Sequence, residues 1–172
     1  MALLTLASGF ALLIANLWLY RRQRIRFPAM NDAEREPYEI SVPTRAFRMM
    51  KGPLYGVVLL HLMLEATLLH PEGPSVVRFA LGSGAGAVGL VLVAVSLDAL
   101  GANFAPCDRG ASPFERVSSG PYRYVAHPLY AGNLLVLLGI GIMSFGWLIA
   151  VCWIFLAVVY AFAVRDEERA FC

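Results

Sequence analysis

Apolar residues fall in long runs, and the runs predict helices. The first covers about residues 2–20, enough at 1.5 Å per residue to cross a hydrocarbon core of ~30 Å. Further runs cover about 53–69, 77–100, 128–145 and 147–164, and two polar connectors, 21–51 and 101–127, separate them. The stretch His70-Pro71-Glu72-Gly73-Pro74 reads as a tight turn. Only a residue or two around Gly146 links the last two runs, which makes them an antiparallel hairpin. Within the first connector, Val42 to Lys51 reads as a short interfacial helix with Phe47, Met49 and Met50 dipping into lipid. The pattern predicts an all-α polytopic membrane protein of about five transmembrane helices, forming one membrane domain over 1–172.

Composition agrees with that class. Hydrophobic residues make up 59% of the chain and charged residues 15%, which points to an integral membrane protein. No basic segment precedes the first run, and Arg21-Arg22-Gln23-Arg24 follows it, as in a retained span and not a cleaved signal peptide. Charge placement then predicts orientation. With the N-terminus outside, both connectors and the C-terminal tail are cytoplasmic and hold every one of the 14 lysines and arginines except Arg78. The expected location is a bacterial inner membrane or the endoplasmic reticulum. A net charge of +2 gives no reason to expect a nucleic-acid partner. Cys107, Cys152 and Cys172 lie far apart without metal or redox spacing, so they read as free thiols, and no metal site is expected.

Candidate chemistry concentrates in Gly120-Pro121-Tyr122-Arg123-Tyr124-Val125-Ala126-His127-Pro128-Leu129-Tyr130-Ala131-Gly132. Each proline pushes the residue before it out of helical geometry, so this stretch enters as a turn and leaves as a helix with Pro128 in its first turn. His127 then sits at a helix N-terminus, where N–H groups and the dipole favour an anion. The tyrosines serve equally well as interfacial anchors. His61 and Glu65, four apart and placed near mid-membrane, are candidates for function or for tying helices together. Gly82 and Gly86 have the spacing that lets a neighbouring helix approach closely. Five spans without a visible internal repeat argue against a secondary transporter.

Taken in order, Leu100-Gly101-Ala102-Asn103-Phe104, the Gly120–Gly132 stretch and Arg165-Asp166-Glu167-Glu168 resemble the signature of the isoprenylcysteine carboxyl methyltransferase and phospholipid methyltransferase superfamily. The resemblance covers about residues 97–172. It implies a small multi-helix membrane enzyme that binds S-adenosylmethionine at the cytoplasmic face and methylates a lipid-like or prenylated substrate entering from the bilayer. It also implies that His127, Pro128, Tyr130, Gly132, Glu167 and Glu168 surround the cofactor; Tyr122, able to stack on adenine or meet a sulfonium through cation–π attraction, is expected to join them, and His127, Arg123 and Glu168 are the expected catalytic set. Two features depart from the family pattern. Ala126 stands where members usually carry arginine before His-Pro, which leaves a cationic contact to Arg123, and members run on past the glutamate pair whereas this sequence ends at Cys172.

Methyl transfer suits such a residue set, because a sulfonium methyl is already activated and the protein must mainly align the reactants and exclude water. An isoprenylcysteine carboxylate needs no base. A phospholipid amine must first lose a proton, which gives a role to His127 or a glutamate. Two other readings stay open at this level: a non-catalytic membrane scaffold that keeps the fold, and a nicotinamide-dependent lipid reductase of similar layout.

Overall fold

The computed structural model describes residues 1–27, 39–65, 74–104, 117–144 and 146–170. Among these residues the chain is all-helical: α1 (Ala2–Arg26), α2 (Val42–Leu64), α3 (Val76–Leu100), α4 (Pro128–Ser144) and α5 (Trp147–Ala170), with short 3-10 turns at Gly101–Asn103 and Gly120–Arg123. By length and composition, α1, α3 continued through Asn103, and α5 through Arg169 are each able to cross a membrane. The apolar stretch of α2, Gly52–Leu64, and α4 are shorter.

Helix ends follow local sequence. Ser75 caps α3 by accepting a hydrogen bond from the Arg78 N–H at 3.4 Å, and Gly101 stops the same helix with φ 53°, a left-handed conformation that glycine adopts without a Cβ clash. Gly120, at φ 59°, opens the second 3-10 turn, where a Cβ would stand 3.3 Å from that of Ala99. Pro128 is the first residue of α4, as its fixed φ and missing N–H allow.

The tightest seam joins α3 and α4 through glycine. Gly82, Gly86 and Gly89 of α3 face Gly132 and Gly139 of α4, so closely that a Cβ on Gly139 would lie 2.5 Å from both the Gly82 carbonyl oxygen and the Gly86 nitrogen. The expectation drawn from Gly82 and Gly86 is met, and α4 is the helix that approaches. A stripe on α5, Ile149, Cys152, Leu156 and Tyr160, packs with Val58 and Leu62 of α2 and Val136, Ile140 and Met143 of α4 in a common core. The indole Nε1 of Trp153 donates to the Leu134 carbonyl at 2.9 Å and ties α5 to α4. Facing outward are Leu81, Val88 and Val91 of α3 and Val151, Ile154 and Val158 of α5, the apolar surface expected of helices solvated by lipid tails.

α2 departs from the expected boundaries. One helix runs from Val42 through Pro53 to Leu64, in place of an interfacial helix followed by a span starting near Pro53. Its first turns pack against α5: Thr44 is fully buried and bonded to Asp166, and the Phe47 ring meets Tyr160 edge-on at 6.1 Å, while Met49 and Met50 are exposed. Residues 66–73, including most of the predicted turn, lie outside the described residues, as do Cys107 and Cys172. His61 and Glu65 are not near the middle of the bundle. The buried His61 ring packs on Gly146 at the α4–α5 turn, and its Nε2 lies 3.0 Å from Glu65 Oε2. The two groups are within contact distance, yet among the described residues neither ring nitrogen of His61 makes a hydrogen bond.

α1 carries a polar stripe that the hydropathy pattern hides. Asn16 donates to Asn133 Oδ1 at 3.1 Å, Asn133 donates to the Tyr20 hydroxyl at 2.7 Å, and Gln23 donates to the carbonyls of Leu97 (3.0 Å) and Gly101 (2.7 Å). These bonds hold α1 to α3 and α4 just behind the start of α4. Polar contacts between membrane helices contribute about 0.6 kcal/mol each on average.

Candidate functional site

The site lies where the first turn of α4 meets the last turns of α5. The α4–α5 hairpin places these two ends side by side, opposite the Gly146 turn. On α5, Tyr160 and Glu167 are seven residues apart, two helical turns, and share one face with the small buried Ala163 between them. On the α4 side, His127 and Tyr130 are three apart and their rings lie parallel, 5.7 Å between centroids with 3° between planes. The Tyr130 ring stacks in turn on Tyr160 at 4.5 Å and 18°. Three rings therefore line up beside one carboxylate.

That carboxylate is Glu167. His127 Nδ1 lies 3.3 Å from Glu167 Oε2, and the Tyr130 hydroxyl donates a short hydrogen bond to Oε1. Glu167 is about one-fifth exposed, so it is screened from bulk water yet reachable. Tyr122, in the 3-10 turn Gly120–Arg123, is half-buried nearby; burial first, and the negative charge of Glu167 second, hold its phenol well above its ordinary range.

Of the residues singled out in sequence, His127, Tyr130, Glu167 and Tyr122 come together here. Others stand apart. Glu168, about 100° further round α5, is exposed, and it is Glu167 that reaches His127 and Tyr130. Arg123 is also exposed, its guanidinium 5.9 Å from the centroid of the Tyr124 ring. Pro128 is buried at the start of α4. Gly132 belongs to the helix seam, where a Cβ would stand 2.8 Å from Val93 Cγ2. Sequence reasoning missed Tyr160, a lone tyrosine two turns before Glu167 in an otherwise apolar run, and that spacing was the available signal. Among the described residues no three His, Cys, Asp or Glu side chains converge as metal ligands do.

The profile of a family described as phospholipid methyltransferase matches residues 77–172, more than half of the chain and the whole of this site. The chain belongs to the phospholipid methyltransferase family. Membership makes the protein one of a family of membrane methyltransferases, in keeping with its long apolar helices. The chain is also similar to the cobalt-zinc-cadmium resistance protein CzcN of Cupriavidus metallidurans, 43% identical over 54 residues, which is 31% of this chain and 25% of that protein. The match thus spans about a quarter of the length of that relative. No solved structure matches. Within the family match, the elements that carry the site are α4, α5 and the 3-10 turn before them.

Proposed function

We propose that the chain takes a methyl group from S-adenosylmethionine and passes it to a lipid-type acceptor at the cytoplasmic membrane face, in a site built at the joined ends of α4 and α5. The observation that carries this reading is the double engagement of Glu167 by His127 and Tyr130. The residues present fit such a cofactor. A screened carboxylate beside stacked rings complements an ammonium or sulfonium by charge and by attraction to the ring faces, the latter about 0.5–2 kcal/mol. The first turn of α4, with its N–H groups and dipole, complements a carboxylate. When bound, S-adenosylmethionine supplies an already activated methyl on a sulfonium.

The chain's own residues then orient, screen and move a proton. Glu167 accepts from hydroxyl or ammonium groups, and Tyr130 and Tyr160 wall off water on one side. With its proton on Nδ1, the nitrogen 3.3 Å from Glu167 Oε2, His127 offers Nε2 to receive the proton that an amine must lose before it attacks. Because an amine must lose a proton that His127 is able to take, whereas an ionised carboxylate needs no base, we favour phospholipid-amine N-methylation over isoprenylcysteine-type O-methylation. The orientation that supports a cytoplasmic site is the one inferred from basic residues, with the N-terminus outside.

Titration of the purified protein in nanodiscs with S-adenosylmethionine, alongside NADPH, tests the reading. Saturable binding of S-adenosylmethionine, weakened in Tyr130→Phe, together with transfer of labelled methyl to vesicles containing phosphatidylethanolamine, is the expected outcome. Binding of neither cofactor would leave the scaffold reading, and binding of NADPH alone the reductase reading.

A further inference from the structure

Two successive carboxylates on α5 face different helices. Glu167 turns to α4. Asp166, its neighbour, is buried against α2, where one oxygen, Oδ2, accepts three hydrogen bonds: from the Ser41 N–H at 2.9 Å, the Ser41 hydroxyl at 2.8 Å and the Thr44 hydroxyl at 2.8 Å. Ser41 is the N-cap of α2 and makes no side-chain cap within its own helix. Asp166 supplies an anion at that helix end from 125 residues away. The same two helices meet again where Phe47 of α2 packs edge-on against Tyr160, which also stacks on Tyr130, the donor to Glu167.

The last turn of a helix frays unless something outside it holds it. In α5 that turn carries Glu167, and the backbone immediately before it is fixed by the three bonds of Asp166. We infer that Asp166, with Ser41 and Thr44, is a positioning residue for the site: it sets the rotation and depth of the end of α5 so that Glu167 meets His127 and Tyr130, and it acts only through Glu167. The cofactor part of this inference rests on the proposed methyltransferase function; the placement of Glu167 against His127 does not.

The test is a double-mutant cycle with two readouts, the S-adenosylmethionine Kd in nanodiscs and the rate at which diethyl pyrocarbonate modifies His127, resolved by mass spectrometry. Asp166→Ala should raise Kd about tenfold and speed modification of His127, as Glu167→Gln does, and the double variant should stay within about twofold of Glu167→Gln alone. A merely structural cap would give effects that multiply, and that result overturns the inference, as does a folded Asp166→Ala with parental values in both readouts. Should Asp166→Ala fail to fold, Ser41→Ala with Thr44→Val removes the hydroxyl donors while leaving α5 unchanged, and the same non-additivity is required of it. If the parent binds no S-adenosylmethionine, the functional reading falls by itself, and the His127 modification rates alone decide the positioning role.

Discussion

His127 Nδ1 lies 3.3 Å from Glu167 Oε2, although the two residues stand at opposite ends of a two-helix hairpin. The contact singles out one glutamate of an adjacent pair. Replacing Glu167 with glutamine removes the charge that His127 and Tyr130 address, and hydrogen bonds to a charged group are worth about 1.5–3 kcal/mol. Glu167→Gln should weaken S-adenosylmethionine binding roughly ten- to a hundredfold by calorimetry, whereas Glu168→Gln, altering an exposed side chain, should change it by less than about threefold. Equal losses in both variants would show that the pair acts jointly and that the observed division of labour is wrong.

The glycine seam predicts a contrast on neighbouring positions. A methyl on Gly139 would collide with the main chain of Gly82 and Gly86, while Gly84 has nothing within 4 Å of the corresponding point. Overpacking costs typically about 1–3 kcal/mol, so Gly139→Ala should lower the thermal midpoint clearly and Gly84→Ala should leave it unchanged or slightly raised. Thermal unfolding of the two variants in the same detergent measures the difference.

Tyr122 predicts a response to alkali. Its phenol is raised above the ordinary 10.0, by burial and by Glu167. Below pH 10 it is neutral in both folded and unfolded chains and adds no pH dependence. Above that, the unfolded chain loses the proton first, so stability falls as pH rises. Tyr122→Phe should flatten this alkaline decline, and denaturation midpoints compared from pH 9 to pH 11 would reveal a decline that persists unchanged.

Orientation is open to direct labelling. With the N-terminus outside, an impermeant thiol reagent applied to intact cells leaves Cys107 unmodified and labels it after permeabilisation. Modification from outside would put the Gly120–Gly132 stretch on the wrong face for a soluble cofactor.

How much of this the sequence disclosed depends on the range of the forces involved. Pro128 as a helix start, the hairpin at Gly146 and the packing role of Gly82 follow from local geometry, and the structure shows all three. The choice of Glu167 over Glu168 depends on the rotation of α5 against α4, which only packing fixes. Asp166 meeting Ser41 and Thr44 crosses most of the chain, and nothing local announces it. Asn16, Tyr20 and Gln23 were legible in principle, because uncharged polar groups at spacings of four and three within an apolar run mark the face that must find partners. Their hydropathy was averaged away by the leucines around them.

The seam between α3 and α4 also bears on how this protein tolerates change. Where two helices meet through side chains, each substitution at the contact alters their spacing. Here main chain rests on main chain, and the separation is fixed by atoms that every residue shares. The lipid-facing valines and leucines of α3 are therefore free to drift among apolar types without displacing the first turn of α4. Mutational tolerance in this half of the protein should be broad on the outer faces and nearly absent at Gly82, Gly89, Gly132 and Gly139, where an added Cβ would meet main-chain atoms.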